Sequence, residues 1–244
     1  MKISVISDIH VHPKNEKSIN TLREFCRNDV VRNSDLVVFL GDIFDLCVYD
    51  FDQYKLIYSS ALIEIETLLK SGVEVVFVEG NHDFRINSLF KNWTKIYKFH
   101  YFDNGFYLHI GREVFSFFHG DTIEIENRFY RIYRSLIKNK FISKFYKSIV
   151  GFEKTWSLGL FLLNRSHERH EKYSLSYNSD EVLTKFRKSA DLYFKSSSSK
   201  YLICGHSHVK DFYENNGRTY LNNGFAQAEK TFIYYENEFK FLEI

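Results

Sequence analysis

Five short apolar runs, each closed by a polar turn of Gly, Asp, Asn or His, constrain this chain more than anything else in it. They are Ile3–Ser7, Leu36–Leu40, Val73–Val78, Val114–Phe118 and Tyr201–Cys204. β-Branched and aromatic residues fill them, and their length suits strands buried on both faces. Helical spacing of apolar residues occupies Asn15–Val30 and Asp52–Ser71, with Gly72 placed to stop the second helix. Strand, helix, strand, helix, strand predicts parallel pairing, because a crossover must return the chain to the same end of the sheet. Toward the C-terminus, Thr219–Leu221, Thr231–Tyr235 and Phe239–Leu242 read as antiparallel strands. The expected fold class is α/β, with two packed mixed β-sheets flanked by helices.

Between Glu126 and about Phe194 this rhythm stops. No run there reads as a strand, and Phe, Tyr, Leu and Ile recur at helical spacings among Arg and Lys. The pattern predicts two or three inserted helices: a core of residues 1–125 and 195–244, and a helical insert cap over residues 126–194. Ser196–Ser199 reads as a short flexible link back to the core. Charge follows the same division. The whole chain carries a formal net charge of only +2. Residues 125–173 nevertheless hold 11 Lys and Arg against 4 Asp and Glu, while the remainder holds 22 against 27. A basic block on an acidic body suits docking to something anionic.

Several classes are excluded. The longest strongly apolar run, Leu158–Leu163, falls far short of the about 20 residues that a membrane-spanning helix needs. Cys26, Cys47 and Cys204 are widely spaced and odd in number, which argues against a disulfide framework or a thiolate metal site and for a reducing compartment. The first strand begins by Ile3 and leaves no room for a removable targeting segment, so a cytoplasmic location is expected.

The chemistry lies where the runs end. Asp8 and His10 follow the first, and Asp42 follows the second in Gly41-Asp42. Asn81 and His82 follow the third in Gly80-Asn81-His82-Asp83, and His119 the fourth in His119-Gly120-Asp121. His206 and His208 follow the fifth in Gly205-His206-Ser207-His208. Strand C-terminal ends in an open α/β sheet converge on one crevice, so residues about 200 positions apart can share a site. The donors are oxygen and imidazole nitrogen without thiolate, which suits Mn²⁺, Fe or Zn²⁺. Each piece alone is weak: an Asp-x-His is mostly chance, and a Gly-Asp at a strand end is usually only a turn. Five in order, each after an apolar strand, are not independent turns, and they point to a centre for divalent metal. His12, His100 and His109 read as ordinary loop, surface or strand residues, and His167 and His170 fall in the insert.

The ordered set D-x-H, GD, GNHD, HGD and GHSH resembles the calcineurin-like metallophosphoesterases, and the resemblance covers nearly the whole frame. Carried over position by position, it implies the metallophosphoesterase sandwich with two metal ions. Asp8, His10 and His208 would hold one ion, Asn81, His119 and His206 the other, and Asp42 would bridge them. Two cations about 3.5–4 Å apart acidify a water and neutralise phosphoryl oxygens during in-line attack. His82 resembles the family histidine that stabilises the transition state or protonates the leaving oxygen, a role suited to a near-neutral pKa. Asp83 is expected to orient it.

Within that superfamily the chain is most similar to the bacterial UDP-2,3-diacylglucosamine pyrophosphatases of lipid A synthesis. His119-Gly120-Asp121-Thr122, followed by Asn127, Tyr130, Tyr133 and Arg134, looks like that family's HGD loop and following helix, which touch the glucosamine and uridine parts. The insert comes where that family covers its acyl chains. Tyr220-Leu221-Asn222-Asn223-Gly224 is similar to its closing Y-x-N-x-G-D-W segment. Two positions depart from it: His82 stands where the best-known members carry Arg, and Phe225-Ala226 replaces Asp-Trp. The resemblance implies a Mn²⁺-dependent pyrophosphatase that releases UMP from a nucleotide-linked glycolipid.

The insert itself is compatible with a lipid. Phe129, Phe141, Phe145, Phe152, Trp156 and Phe161 among basic residues can bury acyl chains and lie peripherally on an anionic membrane surface. The alternative is that these aromatics only pack the insert against the body. A nuclease or phosphodiesterase would use the same centre with an open basic groove, although no nucleic-acid partner is expected. A general phosphatase would need no aromatic insert, and a metal-dead scaffold would have lost ligands that are all present here.

Overall fold

The structure, a computed structural model, describes residues 1–124, 134–161 and 179–244. β1 (Ile3–Ile6) and β2 (Leu36–Leu40) come first, and β4 (Glu74–Val78) follows the two-residue β3 (Cys47–Val48). β1, β2, β4 and β6 (Phe99–Phe102) run parallel, in a register that sets Val5 beside Val38 and Val38 beside Val76. β12 (Thr231–Tyr235) and β13 (Phe239–Glu243) extend this sheet antiparallel beyond β1. The second sheet has the order β10 (Lys210–Asn215), β11 (Arg218–Asn223), β9 (Tyr201–Cys204), β8 (Glu113–Phe117), β7 (Phe106–Ile110). β3 also pairs with β5 (Asp83–Phe84) in a small parallel ribbon.

Strand alternation explains why the sheets stack. One face of β1, β2 and β4 turns Val5, Val38 and Val76 toward Phe115, Phe117, Ile203 and Leu221 of the second sheet. The opposite face turns Val37, Phe39, Val75 and Phe77 toward Leu22, Phe25, Ile65 and Leu68 on the helices Glu16–Arg27 and Ser59–Lys70. Leu202, Cys204 and Tyr220 on the outer face of the second sheet meet Phe186, Ala190 and Phe194 of the helix Ser179–Ser196. Each fully buried side chain of this size contributes about 1.5–3 kcal/mol, so the layers define both sheets without further help.

The two sheets flanked by helices match the expected fold class, with local differences. Each of the first two helices is broken. Asn28 ends one and caps another, Asp29–Arg32, its side-chain oxygen accepting from the Val30 amide at 2.9 Å. Tyr58 separates Gln53–Ile57 from Ser59–Lys70. Residues 219–221 are not part of a C-terminal antiparallel group: β11 pairs parallel with β9 and antiparallel with β10. The serine link is anchored, with Ser199 buried and its Oγ 2.5 Å from Ser116 Oγ. Cys26, Cys47 and Cys204 are all buried, and burial pushes their thiols up, away from thiolate chemistry.

Residues 134–161 form a helical layer over the open ends of the strands' loops. The helix Lys140–Phe145 continues through a wider turn, Tyr146–Val150, and helical residues 151–161 follow. Its inward aromatics pack hard: Phe152 lies 5.5 Å from both Phe51 and Tyr54, and Trp156 6.1 Å from Tyr54. Gly159 fits against Leu46, where an added Cβ would come within 2.5 Å of a methyl carbon. Phe141, Phe145 and Phe161 instead face out, 84%, 57% and 54% exposed. Among the described residues, no helix is long and apolar enough to cross a membrane.

Candidate metal centre

The seven expected ligands sit in loops that leave the C-terminal ends of β1, β2, β4, β8 and β9. Five of them, Asp8, His10, Asp42, His206 and His208, have positive φ. Non-glycine residues avoid that region at a cost of about 1–2 kcal/mol each, and its concentration here marks backbone bent to aim side chains inward. The glycines serve the same end. An added Cβ on Gly80 would lie 2.1 Å from Asp42 Oδ1, and one on Gly205 2.2 Å from Asp8 Oδ2. Backbone must come that close for carboxylates and imidazoles to share one cavity floor.

Two sets of the expected donors form, beside a third group of His10, Asp45 and His82. Asp8, His10 and His208 offer ligand atoms within 4.8 Å of one another, and so do Asp42, His119 and His206. In the first set, His10 Nε2 lies 3.2 Å from His208 Nε2, and His208 Nε2 3.3 Å from Asp8 Oδ1. In the second, His119 Nε2 lies 3.3 Å from Asp42 Oδ2 and 3.0 Å from Asn81 Oδ1. Asp42 Oδ2 is also 3.7 Å from His10 Nε2, so one carboxylate touches both sets. His119 Nδ1 donates to the Leu40 carbonyl at 3.0 Å, leaving Nε2 as the donor that faces inward. Imidazole nitrogen and carboxylate or amide oxygen, without sulfur, form a set that fits borderline divalent cations.

Electrostatics point the same way. Burial would lower the His119 pKa, but the Asp42 carboxylate and its contact to the ring outweigh it and push the pKa up to about 10. Burial likewise opposes the charge of Asp42, yet His119 and His82 beside it hold its carboxyl well below the usual range. Anionic oxygens have thus gathered positive partners, a role cations take over by displacing protons from the rings.

Around this floor, Asp83 does not touch His82, contrary to expectation. Its buried carboxylate accepts from the backbone amides of Asp42 (3.0 Å), Ile43 (2.7 Å), Phe44 (3.1 Å) and Gly80 (2.8 Å). It therefore ties the second and third motif loops together, because four buried amides need an acceptor. The orienting partner is Asp45, which sequence reasoning missed. His82 Nδ1 donates to the Asp45 carbonyl at 2.8 Å and lies 3.5 Å from its carboxylate, which is also 3.3 Å from His10 Nδ1. The signal available was a second acid one turn after Asp42 in Gly41-Asp42-Ile43-Phe44-Asp45. Burial works against a charged His82, but Asp42 and Asp45 raise its pKa to about 9. The His82 amide donates to Asp42 Oδ1 at 2.8 Å, so the backbone that carries the ring is tied to the carboxylate that touches both donor sets.

Residues 1–210 match the family model described as calcineurin-like phosphoesterase. The chain belongs to that family. Its members use divalent metals, and the chain is a metal-dependent hydrolase of phosphate ester or anhydride bonds. The phosphoesterase chain is 27% identical over 221 residues to a UDP-2,3-diacylglucosamine hydrolase of Neisseria meningitidis serogroup C (strain 053442), covering 88% of this chain and 85% of that one. It is 26% identical over 219 residues to a UDP-2,3-diacylglucosamine hydrolase of Blochmanniella floridana, covering 85% and 80%. A solved archaeal phosphodiesterase superposes with a TM-score of 0.49 at 16% identity, covering 100% of both chains.

Of the expected substrate contacts, Arg134 is held by Asp121, Nε to Oδ2 2.6 Å, and by Asn104 Oδ1 at 3.0 Å. It lines a cavity of about 340 Å³ with Glu79, Arg85, Thr122 and Lys138, beside the HGD turn. Asn127, Tyr130 and Tyr133 lie outside the described residues, as do Phe129, His167 and His170.

Proposed function

We propose that this phosphoesterase hydrolyses the pyrophosphate of UDP-2,3-diacylglucosamine, giving UMP and 2,3-diacylglucosamine 1-phosphate. The observation that carries the reading is the match to hydrolases of that name across most of both chains, in a chain that keeps every expected metal donor. Asp8, His10 and His208 would hold one divalent ion and Asn81, His119 and His206 the other, with Asp42 shared. Mn²⁺ is the proposed occupant. When bound, the two ions supply Lewis acidity to phosphoryl oxygens and make water a nucleophile near neutral pH.

The chain's own residues do the rest. His82, with Nδ1 fixed on the Asp45 carbonyl, presents Nε2 as a proton donor to the departing phosphate oxygen or as a charge partner for the phosphoryl group. It thus stands for the Arg of the best-known relatives by supplying a cation at the same loop position. Arg134, which lines the cavity at the HGD turn, is a proposed contact for the sugar and nucleotide parts, and the sequence resemblance adds Asn127, Tyr130 and Tyr133 to that set.

A lipid-facing role for the cap, residues 126–194 in the sequence division, is supported by an outward stripe. Phe141, Phe145 and Ile149 are spaced four apart and exposed, flanked by Lys144 and Lys147. An apolar stripe edged with lysine suits acyl chains or the surface of an anionic membrane, and we place the enzyme peripherally on the cytoplasmic side of the inner membrane.

The test is mass spectrometry of Mn²⁺-loaded protein incubated with UDP-2,3-diacylglucosamine in detergent. UMP and the acylated sugar phosphate should appear, and both should vanish with Asp42→Ala. Intact glycolipid beside active hydrolysis of bis-p-nitrophenyl phosphate would retain the phosphoesterase and reject this substrate.

A further inference from the structure

His206 has a second acidic neighbour outside the motif set. The turn after His119-Gly120-Asp121 closes with the Ile123 amide donating to the Gly120 carbonyl at 3.0 Å and the Glu124 amide reaching the same oxygen at 3.3 Å. This turn brings the Glu124 side chain, about 10% exposed, back to His206, with Oε2 3.8 Å from Nε2. The other carboxylate oxygen, Oε1, accepts from Lys185 Nζ on the helix Ser179–Ser196. Phe186, the next residue on that helix, packs its ring 6.2 Å from the His206 imidazole.

Glu124 does not join the ligand group. Among the described residues, the donors gathered around His206 within 4.8 Å of one another are those of Asp42 and His119, without Glu124. The carboxylate thus approaches Nε2 of the imidazole without belonging to that group. An imidazole that binds a cation through one nitrogen is oriented by what its other N–H meets, and a carboxylate there fixes both tautomer and ring angle.

We infer that Glu124 is a positioning residue for the second metal ion: across 3.8 Å it faces Nε2 of His206, favours the proton there, leaves Nδ1 for the ion, and is itself held by Lys185. The inference rests on the dinuclear reading of the centre, which it deepens. It ties the affinity of the second ion to the helix that packs on the outer face of the second sheet.

The test is Mn²⁺ titration of the full chain, with free Mn²⁺ followed by electron paramagnetic resonance, for wild type, Glu124→Ala, Glu124→Gln and Lys185→Met. Wild type should take up two ions. Glu124→Ala should weaken one of the two binding steps on the order of 10–100-fold and leave the other unchanged. Glu124→Gln retains an acceptor oxygen and should restore most of the loss, and Lys185→Met should give a smaller loss confined to the same step. In the Zn²⁺-loaded wild type, long-range ¹H–¹⁵N correlation should place the His206 proton on Nε2. Two-ion binding of equal strength in wild type and Glu124→Ala, or a His206 proton on Nδ1, would overturn the inference and leave the centre standing. A wild-type protein that binds no ion would instead overturn the dinuclear reading on which it rests.

Discussion

The floor of the metal centre and the helical layer above it are built on opposite terms. On the floor, backbone is bent into positive φ at five ligand positions, glycines admit carboxylates at contact distance, and Asp83 closes four amides. Nothing there can turn without breaking something else. In the layer, one face is fixed, with Phe152 and Trp156 against Phe51 and Tyr54, while the other presents Phe141, Phe145 and Ile149 outward. The contrast teaches that the floor of the centre and the outer face of the layer differ in their tolerance for change. Substitutions on the floor should abolish turnover, and substitutions on the outer face of the layer should alter only what the enzyme meets.

The sharpest break of this contrast is Asp42→Ala. Removing the carboxylate shared by both donor sets should lower turnover of any phosphoester by at least about 10³-fold, the scale of a lost electrostatic stabiliser, measured as initial rate at saturating Mn²⁺. His82→Ala should come next, with kcat reduced on the order of 10²-fold and metal content by elemental analysis unchanged, since His82 stands outside both proposed ligand sets. A metal content that falls with it would move His82 into the ligand set. Asp45→Asn, which weakens the hold on both His82 and His10, should reduce kcat by roughly 10-fold. In the layer, Trp156→Ala removes a half-buried ring and should destabilise the fold by about 2 kcal/mol in urea unfolding, with kcat on a soluble substrate preserved. Phe141→Ser should change stability by no more than about 0.5 kcal/mol, yet weaken retention on anionic vesicles. Equal loss of stability in the last two would erase the distinction between the layer's two faces.

How much of this was legible in the sequence follows the same division. The floor was readable because strand ends converge by topology, so that Asp8, Asp42, Asn81, His119 and His206 could be assembled from order alone. What escaped was the role of each supporting acid. Asp83 was assigned to His82 because it is adjacent in sequence, but it opens the short strand β5, and four backbone amides claim its side chain. Asp45 and Glu124 carry no motif and reach the centre only through the turns that follow Asp42 and His119. β10 was missed because Lys210-Asp211-Phe212-Tyr213-Glu214-Asn215 is a polar edge strand. Its partner turn was nonetheless written in Asn216-Gly217, both at positive φ as a two-residue hairpin demands. In the layer, helical spacing was visible but could not say which aromatic met the body, because both faces carry Phe and Tyr.

Metal uptake offers an independent check on the floor. With His119 raised to about 10 by Asp42, the ring is protonated at pH 7 before an ion arrives and must lose that proton when it becomes a ligand. Calorimetric enthalpies of Mn²⁺ binding should therefore change with the ionisation enthalpy of the buffer, and buffer-independent enthalpies would contradict proton release.

The central claim is that two ions share Asp42, and anomalous diffraction from Mn²⁺-soaked crystals tests it most directly. Two peaks about 3.5–4 Å apart are expected, one among Asp8, His10 and His208, the other among Asn81, His119 and His206, with Asp42 between them. A single peak, above all one held by His10, Asp45 and His82, which also bring ligand atoms within 4.8 Å of one another, would contradict it.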